Sequence, residues 1–162
     1  MKKLTFLVLF LLSSCGFQLR GTLDIPEYWQ PVYISSENAD DVTNALKQNF
    51  EAADIQQTSD PNQAKLILRT KNQKLTSRIL SVSSTSAKTQ EREYISDVEF
   101  ELNDPKGTSI LPKQKLTARR ELSLDERAVL AKSEEEQLLL NDLNQELAGN
   151  IARRLMILRT KK

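Results

Sequence analysis

The chain has 162 residues, the length of one domain, and its 39% hydrophobic and 28% charged residues are the balance of a folded domain with a polar surface. It has no histidine and one cysteine, which excludes His-based catalytic triads, the usual zinc, copper or iron sites within one chain, and an internal disulfide. The 23 basic and 22 acidic residues nearly cancel, so we expect no nucleic-acid partner.

The N-terminus has the pattern of a bacterial lipoprotein signal. Two lysines at positions 2 and 3 precede an apolar run over residues 4–12. That run is too short for a membrane span of about 20 residues but fits a secretory signal. Leu12-Ser13-Ser14-Cys15 then has the form of a lipobox, after which the chain is cleaved before the cysteine. We therefore expect a signal peptide over residues 1–14 and one mature domain over residues 15–162.

Cys15 is the expected site of lipidation, with an S-diacylglycerol group on the thiol and an N-palmitoyl group on the new amino terminus; no other cofactor is expected. Two or more acyl chains make a stable membrane anchor, because each buried methylene contributes about 0.8 kcal/mol. Gly16 and Phe17 follow, with no aspartate to signal inner-membrane retention, so we expect the periplasmic side of the outer membrane. The alternative is an ordinary secretory signal followed by a chance cysteine.

The first half of the mature chain predicts a strand and a helix. After an extended lead-in with two prolines, residues 32–34 are rich in β-forming side chains and predict a short strand. Apolar residues at three- and four-residue spacing predict a helix over 40–53, and Asp40 and Asp41 suit its start. Asp60-Pro61-Asn62 ends that pattern.

Three strands are predicted next, over residues 64–75, 94–102 and 113–122. A Ser/Thr-rich stretch over 81–89 predicts a long hairpin tip, and residues 104–107 have the composition of a tight turn. The second strand alternates between a face of Tyr94, Ser96, Val98, Phe100 and Leu102 and a face of Asp97, Glu99 and Glu101. The third strand has Lys113, Lys115 and Arg119 on its polar face, so opposite charges favour pairing of these two strands as a hairpin.

The last third predicts a long helix. Ser133 and Glu136 fit a capping box, and leucines and isoleucines keep helical spacing over residues 139–158. We interpret this stripe as core and not as a coiled-coil seam. Gly149 marks either close packing on the sheet or nothing in particular. The order β-α-β-β-β-α predicts an α+β two-layer sandwich, a four-stranded, mostly antiparallel sheet with both helices on one face.

Catalysis is not expected. Ser133 follows Lys132 directly, and adjacent helical residues point apart, which argues against a Ser–Lys dyad. The four glycines are scattered and form no phosphate-binding loop.

The segment Cys15-Gly16-Phe17-Gln18-Leu19-Arg20-Gly21 resembles the opening of the LptE family, the lipopolysaccharide-assembly lipoproteins. Members begin with Cys-Gly, an aromatic, a polar residue, Leu and Arg, so Gly16, Phe17, Leu19 and Arg20 match the motif. Tyr94 with its alternating strand, Leu130-Ala131-Lys132 before an acidic stretch, and Ala152-Arg153-Arg154-Leu155 extend the resemblance over nearly the whole chain. Whether Arg20 bonds backbone carbonyls or faces water is left open.

The resemblance implies a four-stranded sheet covered on one side by two helices. It implies that the protein binds lipopolysaccharide (LPS), plugs and helps to assemble the outer-membrane barrel LptD, and supports LPS delivery to the outer leaflet. The family's basic contact in the Leu-Ala-Lys motif carries over to Lys132. The family has a second basic contact on the hairpin that precedes the Tyr94 strand. Here the lysine, Lys88, is one position away from the family's position, and Arg92 is a further candidate.

Two points stay open at this level. The competing function is that of another outer-membrane lipoprotein, which binds a protein or peptidoglycan without handling LPS. An unpaired strand edge can pair with another chain, so we expect one exposed sheet edge beyond the hairpin to contact the barrel or LPS. The sequence does not determine which strand forms that edge.

Overall fold

The computed structural model describes residues 23–82, 89–123 and 131–159. These ranges contain five strands, two long helices and a short 3-10 turn at Glu27–Trp29. In chain order the elements are β1 (Val32–Glu37), α1 (Asp40–Glu51), β2 (Gln57–Thr58), β3 (Leu66–Val82), β4 (Thr89–Asn103), β5 (Ser109–Ser123) and α2 (Ala131–Arg159).

The strands form one mixed sheet in the order β2-β1-β3-β4-β5. The two long ladders, β3 with β4 and β4 with β5, are antiparallel, whereas β1 is parallel to both β2 and β3. The parallel pairs follow from the crossover through α1, which returns the chain to its starting end. The predicted α+β class and element order are confirmed. The predicted count of four strands misses β2, whose two residues are too few to show alternation.

Helix α1 is two residues shorter than the predicted span of 40–53. Its apolar stripe is buried, and both predicted acidic residues lie in its first turn. After Glu51 the chain turns through Asp54, which adopts a positive φ of 55°. The backbone N–H of Ile55 then donates to the carbonyl oxygen of Phe50 at 2.9 Å and closes the helix end.

The three long strands extend beyond their predicted bounds at the ends near residues 82, 89 and 123. Ser81, Val82 and Thr89, predicted to belong to a hairpin tip, are strand residues, and the rest of that tip lies outside the described ranges. Pairing explains the difference, because β3 continues to pair with β4 as far as Val82 opposite Thr89, through register shifts after Lys71, Ile79 and Ser81. Cross-strand partners are not visible in the local alternation of one strand.

The predicted hairpin of β4 and β5 is confirmed, together with its charge pattern. Lys115 Nζ lies 2.9 Å from Asp97 Oδ2, and Lys113 Nζ lies 3.4 Å from Glu99 Oε2. On the other side of β4, Lys71 Nζ lies 3.2 Å from Glu101 Oε1. The hydroxyl of Thr117 and the ammonium of Lys115 lower the pKa of Asp97. The sheet face away from the helices is thus a row of carboxylates between two rows of cations.

The core lies between the other sheet face and the two helices. Helix α1 packs on β1 to β3, while α2 packs on β4, β5 and α1. The predicted leucine stripe of α2 is core, and its fully buried members are Leu143, Leu147, Ile151 and Leu155. They meet the apolar face of β4, including Val98, Phe100 and Leu102, in one cluster.

Helix α2 begins at Ala131, two residues before Ser133, so the predicted capping box is not what starts it. The Glu136 carboxylate accepts a hydrogen bond from the Tyr94 hydroxyl at 2.6 Å. The Glu136 side chain thus bonds a residue of β4, whereas local sequence spacing had predicted that it caps the helix.

The sheet has two distinct ends. The proximal end contains the starts of β1 and β3 and the β4–β5 turn, where the Thr108 N–H donates to Asp104 Oδ1 at 2.7 Å. The distal end contains the end of β3, the start of β4, the end of β5 and the start of α2. Strand β3 has 17 residues. At about 3.3 Å per residue it spans about 55 Å.

Helix α1 starts only halfway along β3. The Gln73 backbone N–H donates to the Asn38 carbonyl at 2.9 Å, and the Gln73 amide oxygen accepts from Val42 N–H at 3.4 Å. The same amide donates to Asn144 Oδ1 of α2 at 2.8 Å. Gln73 therefore ties both helices to the sheet where α1 begins, and β3 continues past that point without α1 above it.

Gly149→Ala should stabilise the protein. A Cβ at this position would have Arg153 Nη1 as its nearest neighbour at 3.6 Å, so the glycine serves no close packing and has room for a methyl group. Alanine favours a helix interior by about 1 kcal/mol over glycine. Urea denaturation should give a free energy of unfolding higher by about 0.5–1 kcal/mol. A lower value would show that the glycine is required by the packing of α2.

Candidate functional site

The distal end contains Arg92 and the helical turn that includes Lys132. Arg92 lies near the start of β4, partly buried, opposite Ile79 of β3 and Leu122 of β5. It alternates with Tyr94 and Ser96, so it is on the helix-facing side. Lys132 belongs to the first turn of α2 at this same end, although its side chain lies outside the described residues. Lys88, between β3 and β4 in sequence, also lies outside them.

The predicted lipidation site and family motif precede the described chain. Cys15, Gly16, Phe17, Leu19 and Arg20 all lie outside the described residues. The first described residues enter at the proximal end, where Ile25 and Trp29 are buried in the core. The Gln30 side-chain amide donates to the Ile25 carbonyl at 3.0 Å and fixes this entry. The first described residues thus lie at the end of the sheet opposite to Arg92.

Tyr94 connects Arg92 to α2. Its ring is buried, and its hydroxyl donates to Glu136 Oε1 at 2.6 Å while also contacting Arg92. Burial, followed by the hydrogen bond to the Glu136 carboxylate, raises the pKa of Tyr94, so the hydroxyl stays protonated and remains a donor at neutral pH. Glu136 lies one helical turn after Lys132, so the bond from Tyr94 fixes the start of α2 at the end of the sheet that contains Arg92.

Large apolar side chains are exposed beside this network. They are Leu75, Ile79, Leu80 and Val82 on β3 and Leu138 on α2. Leu75 and Ile79 pair with Ser96 and Arg92, which places them on the helix-facing side in the half of β3 that α1 does not cover. Apolar surface next to the Arg92 guanidinium is an arrangement suited to an amphipathic, anionic ligand.

Sequence reasoning missed these apolar residues. Ile79 and Leu80 fall between the predicted strand over 64–75 and the predicted hairpin tip over 81–89, so no element was assigned to them. The β-forming residues of Ile79-Leu80-Ser81-Val82 are the feature that indicates a continuing strand. Tyr94 was noted only as a landmark, because its bond to Glu136 joins residues 42 apart in sequence.

Two concave regions lie near the junction of the helices. A small cavity of about 60 Å³ is lined by Gln73, Leu75, Ser96, Leu140 and Asn144, among others. A wider groove of about 350 Å³ between α1 and α2 is lined mainly by the amides Asn44, Gln48, Asn141, Asn144 and Gln145. Neither contains the paired acid and base or activated nucleophile that catalysis needs.

Within the described ranges no group of three or more His, Cys, Asp or Glu residues converges on a point where a metal ion could bind. Of the helices in those ranges, none combines the length and apolar character needed to cross a membrane.

The chain matches the family model LptE: Lipopolysaccharide-assembly over residues 29–155. No curated protein matches it. Among solved structures, lipoprotein B from Nitrosomonas europaea is 24% identical, with a TM-score of 0.70 over 85% of this chain and 88% of that one. Rare lipoprotein B from Shewanella oneidensis is 24% identical, with a TM-score of 0.66 over 80% and 96%. A minor lipoprotein from Acinetobacter baumannii is 24% identical, with a TM-score of 0.63 over 79% and 91%. These structures share the fold.

Tyr94→Phe should weaken the attachment of α2 at the distal end. The variant keeps the buried ring but loses a hydrogen bond to a carboxylate, which contributes about 1–2 kcal/mol. Urea denaturation should show that loss, and hydrogen exchange should accelerate in the first two turns of α2. Tyr28→Phe is the matched control, since Tyr28 is largely exposed. If Tyr94→Phe and Tyr28→Phe are equally stable, the Tyr94–Glu136 bond does not fix this helix.

Proposed function

The chain belongs to the LptE family, and from this we propose that it binds LPS at its distal end while it plugs and helps to assemble the LptD barrel, so that LPS reaches the outer leaflet. The family consists of non-enzymatic assembly lipoproteins acting in LPS assembly. The binding site, the barrel partner and the outer-membrane anchor are the parts that we propose.

The proposed site is supported by the combination of exposed apolar side chains and a cationic side chain at the distal end. Ile79 and Val82 are exposed apolar side chains, and Arg92 lies across from Ile79 in the sheet. Lipid A combines acyl chains with phosphates, and it needs apolar contact together with cationic partners. Guanidinium and ammonium groups both bind phosphate well. We assign the phosphate contacts to Arg92, Lys132 and Lys88.

The separation of the two ends supports the proposed orientation. Cys15 lies eight residues before Leu23, so an extended connection would reach at most about 28 Å. The strands then run about 55 Å from the proximal to the distal end. A bilayer with its headgroups is about 40–45 Å thick. A molecule tethered by Cys15 in the inner leaflet of the outer membrane, and standing upright in a barrel, would place its distal end near the outer leaflet.

The outer sheet face supports a location inside a barrel lumen. Its ion pairs, such as Lys113 with Glu99 and Lys115 with Asp97, make a polar surface, and the interiors of large outer-membrane barrels are polar. A compact domain of this length has a radius of gyration near 15 Å, so only a wide barrel could enclose it.

The competing function, binding of a protein or peptidoglycan without LPS, has one observation in its favour. The groove between α1 and α2 is lined by amides, which hydrogen-bond well to sugars. Purification in detergent distinguishes the two functions. LPS assembly requires recovery of a large β-barrel protein with the tagged chain, whereas recovery of peptidoglycan fragments without a barrel would favour the alternative.

Lys132→Glu should weaken LPS binding by about tenfold, because it replaces a phosphate partner with a like charge. Binding of purified LPS to the detergent-solubilised protein measures this effect, and thermal melting should remain nearly unchanged. Lys106→Glu, in the exposed turn at the proximal end, is the control with the same charge change and should bind LPS normally. If Lys132→Glu instead melts early with full LPS affinity, Lys132 is structural.

Cys15→Ala should abolish acylation and release the protein from membranes. Labelling with radioactive palmitate should disappear, and the protein should move from the membrane pellet to the soluble fraction. Ser13→Ala retains a small residue in the lipobox and should leave both measurements unchanged. Undiminished palmitate incorporation in Cys15→Ala would contradict the proposed anchor.

A further inference from the structure

The distal half of β3 has a free edge that differs from the other long edge of the sheet. We propose that this edge, Lys74–Val82, accepts an extended segment of the barrel protein as an added β-strand. The inference rests on the proposed function for the identity of the partner. Beyond the proposed function, the inference specifies that the barrel protein contacts this chain by strand addition and that β3 is the strand contacted.

The edge is free because β1 stops short. The β1–β3 ladder ends at Glu37 opposite Lys71, and the chain then turns away into α1. The bulge after Lys71 uses the Gln73 N–H for the Asn38 carbonyl. From Lys74 to Val82, β3 pairs with β4 on one side, and among the described residues no strand pairs with it on the other. Every second backbone N–H and C=O along it is therefore directed outward.

Strand β5 forms the opposite edge of the sheet and is protected against added strands. It carries the exposed residues Pro112 and Arg119, whereas its lysines at 113 and 115 pair with carboxylates of β4. Prolines and charged side chains on an edge are the usual devices that prevent pairing with another strand.

The free edge of β3 carries the opposite composition. Ile79 and Val82 each expose 56% of their surface, and Leu75 exposes 49%. Both of its cations lie opposite a carboxylate residue of β4 in the ladder: Arg78 pairs with Glu93, with Nε 2.5 Å from Oε2, and Lys74 is opposite Asp97. Among the described residues, an approaching strand would therefore meet outward-directed backbone groups next to exposed apolar side chains.

These features specify a polypeptide as the occupant. Only an extended backbone offers donors and acceptors at the two-residue period of the edge, with side chains alternating to meet Leu75 and Ile79. An acyl chain would satisfy the apolar side chains and leave the backbone groups unpaired. Inside a barrel lumen, the surrounding polypeptide is that of the barrel.

Photocrosslinking tests the contact directly. The photoreactive residue p-benzoylphenylalanine replaces Thr76 on the free edge of β3 or Thr117 on β5, both exposed threonines on the outer sheet face. Each full-length lipoprotein is expressed with the barrel protein and irradiated. We expect adducts with the barrel protein from position 76 and few from position 117. Stronger adducts from position 117, or adducts between two lipoprotein copies from position 76, would overturn the inference while leaving barrel recovery intact.

A substitution provides an independent measurement. Ile79→Lys puts a charge on the free edge at a position already exposed, so the fold should persist, and recovery of the barrel protein should fall by about tenfold. Ile157→Lys makes the same change at an exposed position of α2 and should leave recovery unchanged. Equal recovery with both variants would overturn the inference. Failure of the unsubstituted protein to recover any barrel would contradict the proposed function itself, and the inference with it.

Discussion

Burial of one face of the sheet beneath two helices of unequal length is the constraint on which this molecule depends. Helix α1 has 12 residues and covers about 18 Å, whereas α2 has 29 and covers about 43 Å. The long strands exceed both, since β3 spans about 55 Å. The longer helix can follow β4 and β5 to the distal end, but the shorter one leaves half of β3 uncovered. The open apolar surface is thus a consequence of element lengths.

Tyr94 belongs to the core and also bonds the end of α2 at which the ligand site is proposed. Its buried ring belongs to the apolar face of β4, and its hydroxyl bonds Glu136 on α2. The same contact places the helical turn of Lys132 at the end of the sheet that holds Arg92. A residue of the core thereby fixes the start of α2 relative to β4. The described lead-in over residues 23–31 joins the fold at the proximal end, so the length of the strands separates it from the proposed ligand site.

The sequence was sufficient for the longer elements and for the β4–β5 hairpin, and insufficient for the rest of the strand pairing. Alternation over 94–102 and the leucine spacing of α2 gave the buried faces correctly, because periodicity is a local property. The strand β2 was missed for want of length, and the extension of β3 through Ile79 was missed because it depends on partners in β4. The convergence of Arg92 with the start of α2 is likewise a product of topology. The lipid on Cys15 and the role of Lys88 stay predictions, since both residues lie outside the described ranges.

The measurement that tests the account most directly is hydrogen–deuterium exchange of the lipoprotein with and without purified LPS, resolved by peptide. Binding at the distal end predicts slower exchange in peptides covering residues 74–82, 91–96 and 131–137, with little change at the proximal turn over 104–108. Protection confined to the proximal turn and to the lead-in over 23–31, with the distal peptides unchanged, would contradict the account.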